Sequence, residues 1–153
     1  MPVDPSVIGK QLPPSTLTVE AGRLRFFAEV IGETDPIYTD LAAAQAAGYP
    51  NLPVPPTFLF GIELDSPDSF GWLGDLGVDL RRVLHGEQSF VYHSTAVAGD
   101  VLTATPTIGN VYSKKGGALE FIEKTSTVTR ADGTLVAELK SVIVVRNPEV
   151  TAA

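Results

Sequence analysis

Residues 32–40 read GETDPIYTD. Two carboxylates, Glu33 and Asp35, and a phenol, Tyr38, crowd around a Gly and a Pro. A carboxylate can take a proton and a phenol can give one, which is the equipment of general acid–base chemistry. The imidazole that most often does such work near neutral pH is absent from the stretch. The same acidic residues also suit capping, and Asp40 is placed to cap the run that follows. A second pair, His85 and Glu87 in LHGEQ, sets an imidazole beside a carboxylate and could titrate near neutrality. Its plainer reading is a satisfied His at a strand start or a subunit contact. His93 falls on the polar side of an alternating segment. Two His and scattered carboxylates lack metal-ligand spacing, so neither a metal nor a cofactor is expected. Arg81, Arg82, Lys114 and Lys115 could meet phosphate groups, although solvated turn charge is the ordinary role of such residues. KKGG lacks the strand–loop–helix frame of a nucleotide phosphate loop.

These residues need elements to hold them. Up to about Leu76 the chain reads as helix and loop, and from about Leu80 as strand after strand. In TVEAGRLRFFAEVIG, Leu24, Phe27, Ala28 and Ile31 share a helical face, with Gly32 as the stop. DLAAAQAAG predicts a second short helix from Asp40 to Gly48. YPNLPVPP is extended by its prolines. TFLFGIEL is apolar on nearly all sides and predicts a buried helix starting at Pro56 or Thr57. Its Phe58, Leu59, Phe60, Ile62 and Leu64 are core by default. DSPDSFGWLGDLG reads as loop, with Phe70 and Trp72 available as a lid or a partner contact. GEQSFVYHSTAVAGD alternates and predicts a strand as far as the Gly99-Asp100 turn. VLTATPTIGNVY follows as the next strand. ALEFIEKTSTVTR and TLVAELKSVIVVR flank Asp132-Gly133, a strong hairpin signal. A short strand around Thr16–Val19 could join from the N-terminus. The fold class expected is α+β: a long curved antiparallel sheet around one buried helix, in a single domain over 1–153.

Composition agrees. The chain has 153 residues, 44% hydrophobic and 19% charged, enough for one core of ordinary globular balance. No apolar run approaches the roughly 20 residues of a membrane span. The N-terminal stretch lacks a basic-then-apolar leader pattern. With no Cys there is no thiolate chemistry. The net charge of −7, without a Lys/Arg stripe, argues against nucleic acid as a partner. Cytoplasm is the expected compartment.

FFAEVIGETDPIYTDLAAAQAAGYPNLPVPPTFLF, followed by VLHGEQSFVYHSTAVAGDVLTATPTI, resembles the MaoC-like hydratase/dehydratase superfamily and, within it, the FAS1-like dehydratase branch. The resemblance runs over nearly the whole chain, from about Val7 to Arg146. It implies a hot-dog fold, and reversible addition of water across an α,β-unsaturated acyl thioester to give a (3R)-hydroxyacyl product. The thioester would be carried on coenzyme A or acyl carrier protein. The resemblance also implies pairing, as a homodimer or a heterodimer with another hot-dog subunit. In catalytic family members the loop reads Gly-Asp-x-Asn-Pro-x-His, with Asp and His as the dyad. Here Glu33 stands for that Asp, Asp35 for the Asn, Pro36 for the Pro and Tyr38 for the His. A backbone N–H at the start of the central helix serves the oxyanion in the family. By the same spacing Pro56 falls there, and Pro has no N–H to give. Thr57 is the neighbour able to substitute, and Pro56, Thr57 and Phe58 are the expected substrate-binding positions.

Three readings follow. One is a hydratase subunit in which Glu33 is the base and Tyr38 the donor, assisted by His85 or Asp35. The second is a non-catalytic subunit that binds the acyl thioester while a partner supplies the dyad. The third is a hot-dog thioesterase using a carboxylate on the central helix, for which Glu63 is the candidate; the GETDP frame argues against it.

Overall fold

A computed structural model describes residues 3–150; the ends of the expected domain, residues 1–2 and 151–153, lie outside it. Five antiparallel strands form one sheet: β1 (Ser15–Thr18), β2 (Val83–Tyr92), β3 (Val101–Lys114), β4 (Leu119–Arg130) and β5 (Leu135–Arg146). Their spatial order is β1-β3-β4-β5-β2. The sheet is the curled half-barrel of the hot-dog fold, as the sequence predicts. The Asp132-Gly133 hairpin joins β4 to β5, with Gly133 at φ 86°, a conformation glycine adopts without a Cβ penalty. The predicted N-terminal strand is β1, paired to β3 from Ser15↔Ala104 to Thr18↔Val101.

Ahead of the long strands come helices α1 (Ala21–Val30) and α2 (Leu41–Ala46). Leu24 and Ala28 bury the inner side of α1. Asp40 caps α2 by accepting the N–H of Ala42 at 2.8 Å. Both helices lie where expected, but Ile31, expected on the apolar face of α1, caps its C-terminus and is 51% exposed.

The central helix differs in kind. Phe58–Glu63 is a 3-10 helix of six residues rather than an α-helix. Pro55 and Pro56 fix its entry, and Gly61 lowers its α propensity. It is also not buried all round. Phe58, Leu59 and Ile62 face the core, whereas Phe60 and Leu64 are 40% and 43% exposed. The fully buried Leu59 and Ile62 each contribute roughly 1.5–3 kcal/mol to holding the helix in place.

Two further expectations need correction. The segment expected as loop contains a third helix, α3 (Gly71–Asp75). Its anchor is Leu73, 1% exposed in a second core cluster with Ile108 and Ile122. Ser69 holds the approach by donating to the carbonyls of Leu64 and Ser66. The strand expected to reach Gly99 ends at Tyr92. Beyond it, the N–H groups of His93 and Ser94 both turn to the carbonyl of Val136. The Arg130 guanidinium then gathers Ser94 Oγ, the Thr95 carbonyl and the Asp100 carboxylate, which bends the chain out of strand geometry. No helix among the described residues is long and apolar enough to cross a membrane.

Candidate functional site

The loop at residues 32–40 is held by its own carboxylates. Glu33 Oε1 accepts the N–H groups of both Thr34 and Asp35, each at 2.9 Å. Asp35 Oδ1 accepts the N–H of Ile37 at 3.1 Å and caps the short turn Pro36–Tyr38. A carboxylate so engaged fixes a loop through one of its oxygens. Tyr38 is half-buried. Burial, then the nearby Glu33, Tyr49 and Asp35, push its phenol above the ordinary value near 10. It therefore keeps its proton to higher pH than a free tyrosine and stands at neutral pH as a hydrogen-bonding phenol rather than a base.

Tyr38 does reach the start of the central helix. Both it and Pro56 line a cavity of about 140 Å³, together with Tyr49, Leu59, Tyr92 and Ser94. At that helix start Pro56 offers no N–H and Phe58 donates its own to the Pro55 carbonyl at 3.0 Å. Thr57 is exposed, and its N–H has no backbone acceptor among the described residues. Tyr38 of the loop and Pro56 of the helix start thus meet at one cavity, whose lining includes neither Glu33 nor Asp35. The phenol of Tyr38 is the one loop candidate that this cavity receives.

His85 is elsewhere. It lies on β2 and borders a different cavity, of about 280 Å³, where its ring meets Phe60 edge-on at 5.2 Å. Neither Glu33, Asp35 nor Tyr38 lines that cavity. A β-bulge sets this position: between His85 and Glu87 the pairing of β2 with β5 slips at Gly86. Without the extra residue, strand alternation would put His85 and Gln88 on opposite faces; the bulge returns both to the inner one.

Across this larger cavity runs a polar row that sequence reasoning missed. Gln88 on β2 and Lys124 on β4 both pair with Ser141 on β5, so the three side chains sit at one level of the sheet. Ser141 donates to Gln88 Oε1. From the central helix Glu63 reaches down between Lys124 and Ser126, accepting from Nζ of the first and Oγ of the second. The side chains of Lys124 and Glu63 are only 12% and 14% exposed. Trp72 lies against this pair, its ring 5.4 Å from Lys124 Nζ. The rest of the wall is mainly apolar, including Leu84, Leu139 and Ile143. In the sequence, only the polar interruption of the β4 and β5 core pattern at Lys124, Ser126 and Ser141 signals this row.

The remaining charged candidates stay outside both cavities. Arg81 pairs with Asp79, whose carboxyl its hydrogen bonds hold down at about 2. Lys114 packs over the stacked rings of Tyr112 and Phe121. His93 is exposed and pairs with Glu138 at 2.8 Å.

Residues 6–139 match the FAS1-like dehydratase domain region. The chain belongs to that family. A UPF0336 protein of Saccharopolyspora erythraea is 36% identical over 148 residues, covering 95% of this chain and 93% of its own. Among solved structures, the C-terminally truncated HadBC (3R-hydroxyacyl-ACP dehydratase) complex from Mycobacterium tuberculosis superposes with TM-score 0.75 and 24% identity. That match spans 94% of this chain and 99% of the other. A MaoC-like dehydratase superposes with TM-score 0.82 and 23% identity, over 94% of this chain and 43% of its own. At such identities the likeness establishes the hot-dog fold.

Proposed function

We propose that this chain is the acyl-thioester-binding subunit of a two-subunit (R)-specific enoyl-thioester hydratase, whose partner is a second hot-dog subunit carrying the Asp/His dyad. The observation that carries the reading is the state of the loop. Glu33 and Asp35 each hold the loop's own backbone through one oxygen, and Tyr38, with its raised pKa, stands where an imidazole base would have to be. Hydration needs a base to activate water and an acid to protonate the α-carbon, and this loop has no imidazole to share that work with a carboxylate. At the helix start Pro56 has no N–H for an oxyanion, which leaves the neighbouring Thr57 amide as the one donor there. What remains well built is a cavity of about 280 Å³ with mainly apolar walls, suited to an acyl chain.

The sheet edge supports pairing. β2 is an edge strand, and Leu84, Val91 and Tyr92 on it are 51%, 56% and 45% exposed. An edge of this length with apolar side chains is a template for strand pairing unless it is covered. The HadBC complex is itself an assembly of two subunits, consistent with such an arrangement.

The test is binding. The chain has one tryptophan, Trp72, and it lines the cavity, so its fluorescence reports occupancy directly. Titration with long-chain acyl-CoA is expected to shift that emission saturably, with coenzyme A alone giving no such shift. No saturable response to any acyl chain length would overturn the proposal.

A further inference from the structure

The polar row poses a physical problem for a cavity that takes a plain hydrocarbon chain. A Lys–Glu pair removed from water loses hydration that its mutual attraction repays only in part, and apolar residues of similar size would serve as well or better. Lys124 sharpens the problem. Its ammonium carries three N–H donors. Glu63 takes one, the Trp72 ring covers another side, and no second hydrogen-bond acceptor for Nζ is present among the described residues. A methylene chain pressed against this ammonium would strip water from its remaining donors and return nothing. A ligand oxygen would satisfy them.

We propose, building on the acyl-binding reading above, that this cavity selects an acyl chain bearing a neutral oxygen, a hydroxyl or a ketone, received by Lys124 beside Glu63 on the central helix. Charge decides between a neutral and an anionic group. Glu63 already balances Lys124, so a carboxylate entering the cavity would bring an uncompensated charge next to Glu63. A hydroxyl fits both partners, accepting from Lys124 and donating to Gln88 or Ser141 in the same row. A ketone uses the Lys124 donor alone. Glu63, Ser69 and Trp72 also border a further cavity of about 260 Å³, whose wall mixes Leu12, Pro14 and Pro106 with Ser66, Asp68 and Asp75. Glu63 of the polar row thus borders two cavities rather than the closed end of one.

The experiment is a set of Trp72 fluorescence titrations on the purified chain. The probes are one unsubstituted long-chain acyl-CoA, its mono-hydroxylated forms with the hydroxyl walked along the chain, the matching oxo forms, and the ω-carboxylate. One hydroxyl position is expected to bind about tenfold more tightly than the unsubstituted chain, the scale of one hydrogen bond to a charged donor. The oxo form at that position should show a smaller gain and the carboxylate a loss. In the double variant Glu63→Met/Lys124→Met the preference should reverse, with the unsubstituted chain bound more tightly. Equal affinity for every probe, or the same preference in the double variant, would overturn this inference and leave acyl binding standing. Failure of every probe to bind would overturn both. The comparison within the native protein decides the matter even if the double variant does not fold.

Discussion

Gly86 is where the account can be pressed hardest by a small change. Its backbone angles are open to any residue, so Gly86→Ala introduces no left-handed strain; the cost is contact. A Cβ at this position would lie 2.8 Å from Val144 Cγ2 and 3.0 Å from the Val142 carbonyl oxygen. The carbonyl belongs to the β5 backbone and cannot step aside, so the bulge itself must shift. Overpacking of this kind costs about 1–3 kcal/mol. Against it stands the reduced freedom of the unfolded chain, which returns about 0.4–1 kcal/mol. The net expectation is a loss of about 1–2 kcal/mol, or roughly 2–8 °C in Tm for a domain of this size. Equilibrium urea denaturation of the native protein and the variant measures it. Val144→Ala removes the methyl contact but not the carbonyl, so Gly86→Ala should cost less in that background by about 0.5–1 kcal/mol. A variant as stable as the parent, or more so, would refute the assigned bulge geometry. Gly86 would then not be what sets His85 on the cavity face.

Lys124→Met alone should destabilise by about 3 kcal/mol in denaturant, because it leaves the Glu63 carboxylate without its cation, while the Glu63→Met/Lys124→Met pair should recover most of that loss. Glu33→Ala should cost about 1 kcal/mol in stability by freeing the N–H groups of Thr34 and Asp35, and should leave acyl-CoA affinity, read on Trp72, unchanged. The phenol of Tyr38 should ionise later than a free tyrosine in an ultraviolet titration, and Tyr38→Phe should remove one of two late-titrating phenols, Tyr92 being the other. Because the folded-state value is raised, the stability linked to Tyr38 is whole below pH about 10 and is lost as pH climbs through that higher value. A variant whose phenols all ionise at the ordinary value before and after the change would contradict this.

The parts of the fold legible in the sequence were those written locally. Asp132-Gly133 announces its hairpin, Asp40 and Gly48 bracket α2, and Gly32 closes α1, because caps and turns depend on residues within a few positions of each other. The strand that stops at Tyr92 was not legible. Its end is imposed by Arg130, which reaches Ser94 from 36 residues away. Helix α3 was hidden because its few residues are too short to display a period, and Leu73 anchors it by tertiary burial alone. At the site, the loop frame from Glu33 to Tyr38 and the helix start at Pro56 could be aligned from sequence, and the structure does bring Tyr38 and Pro56 to one cavity. The grouping of His85 with that loop did not follow, since a single-residue bulge decides which face His85 takes. The row of Gln88, Ser141 and Lys124 comes from three strands in register, and register between distant strands is not written in any one of them.

The measurement that bears most directly on the central claim is hydration of enoyl-CoA, followed as loss of the conjugated thioester's ultraviolet absorbance. It is made with the purified chain alone and again with a hot-dog partner that carries an intact Asp/His dyad. The account predicts no turnover by the chain alone and turnover by the pair, dependent on the partner's dyad and insensitive to Glu33→Ala in this chain. Turnover by this chain alone that Glu33→Ala abolishes would contradict it, and would make the loop at residues 32–40 a working active site without histidine.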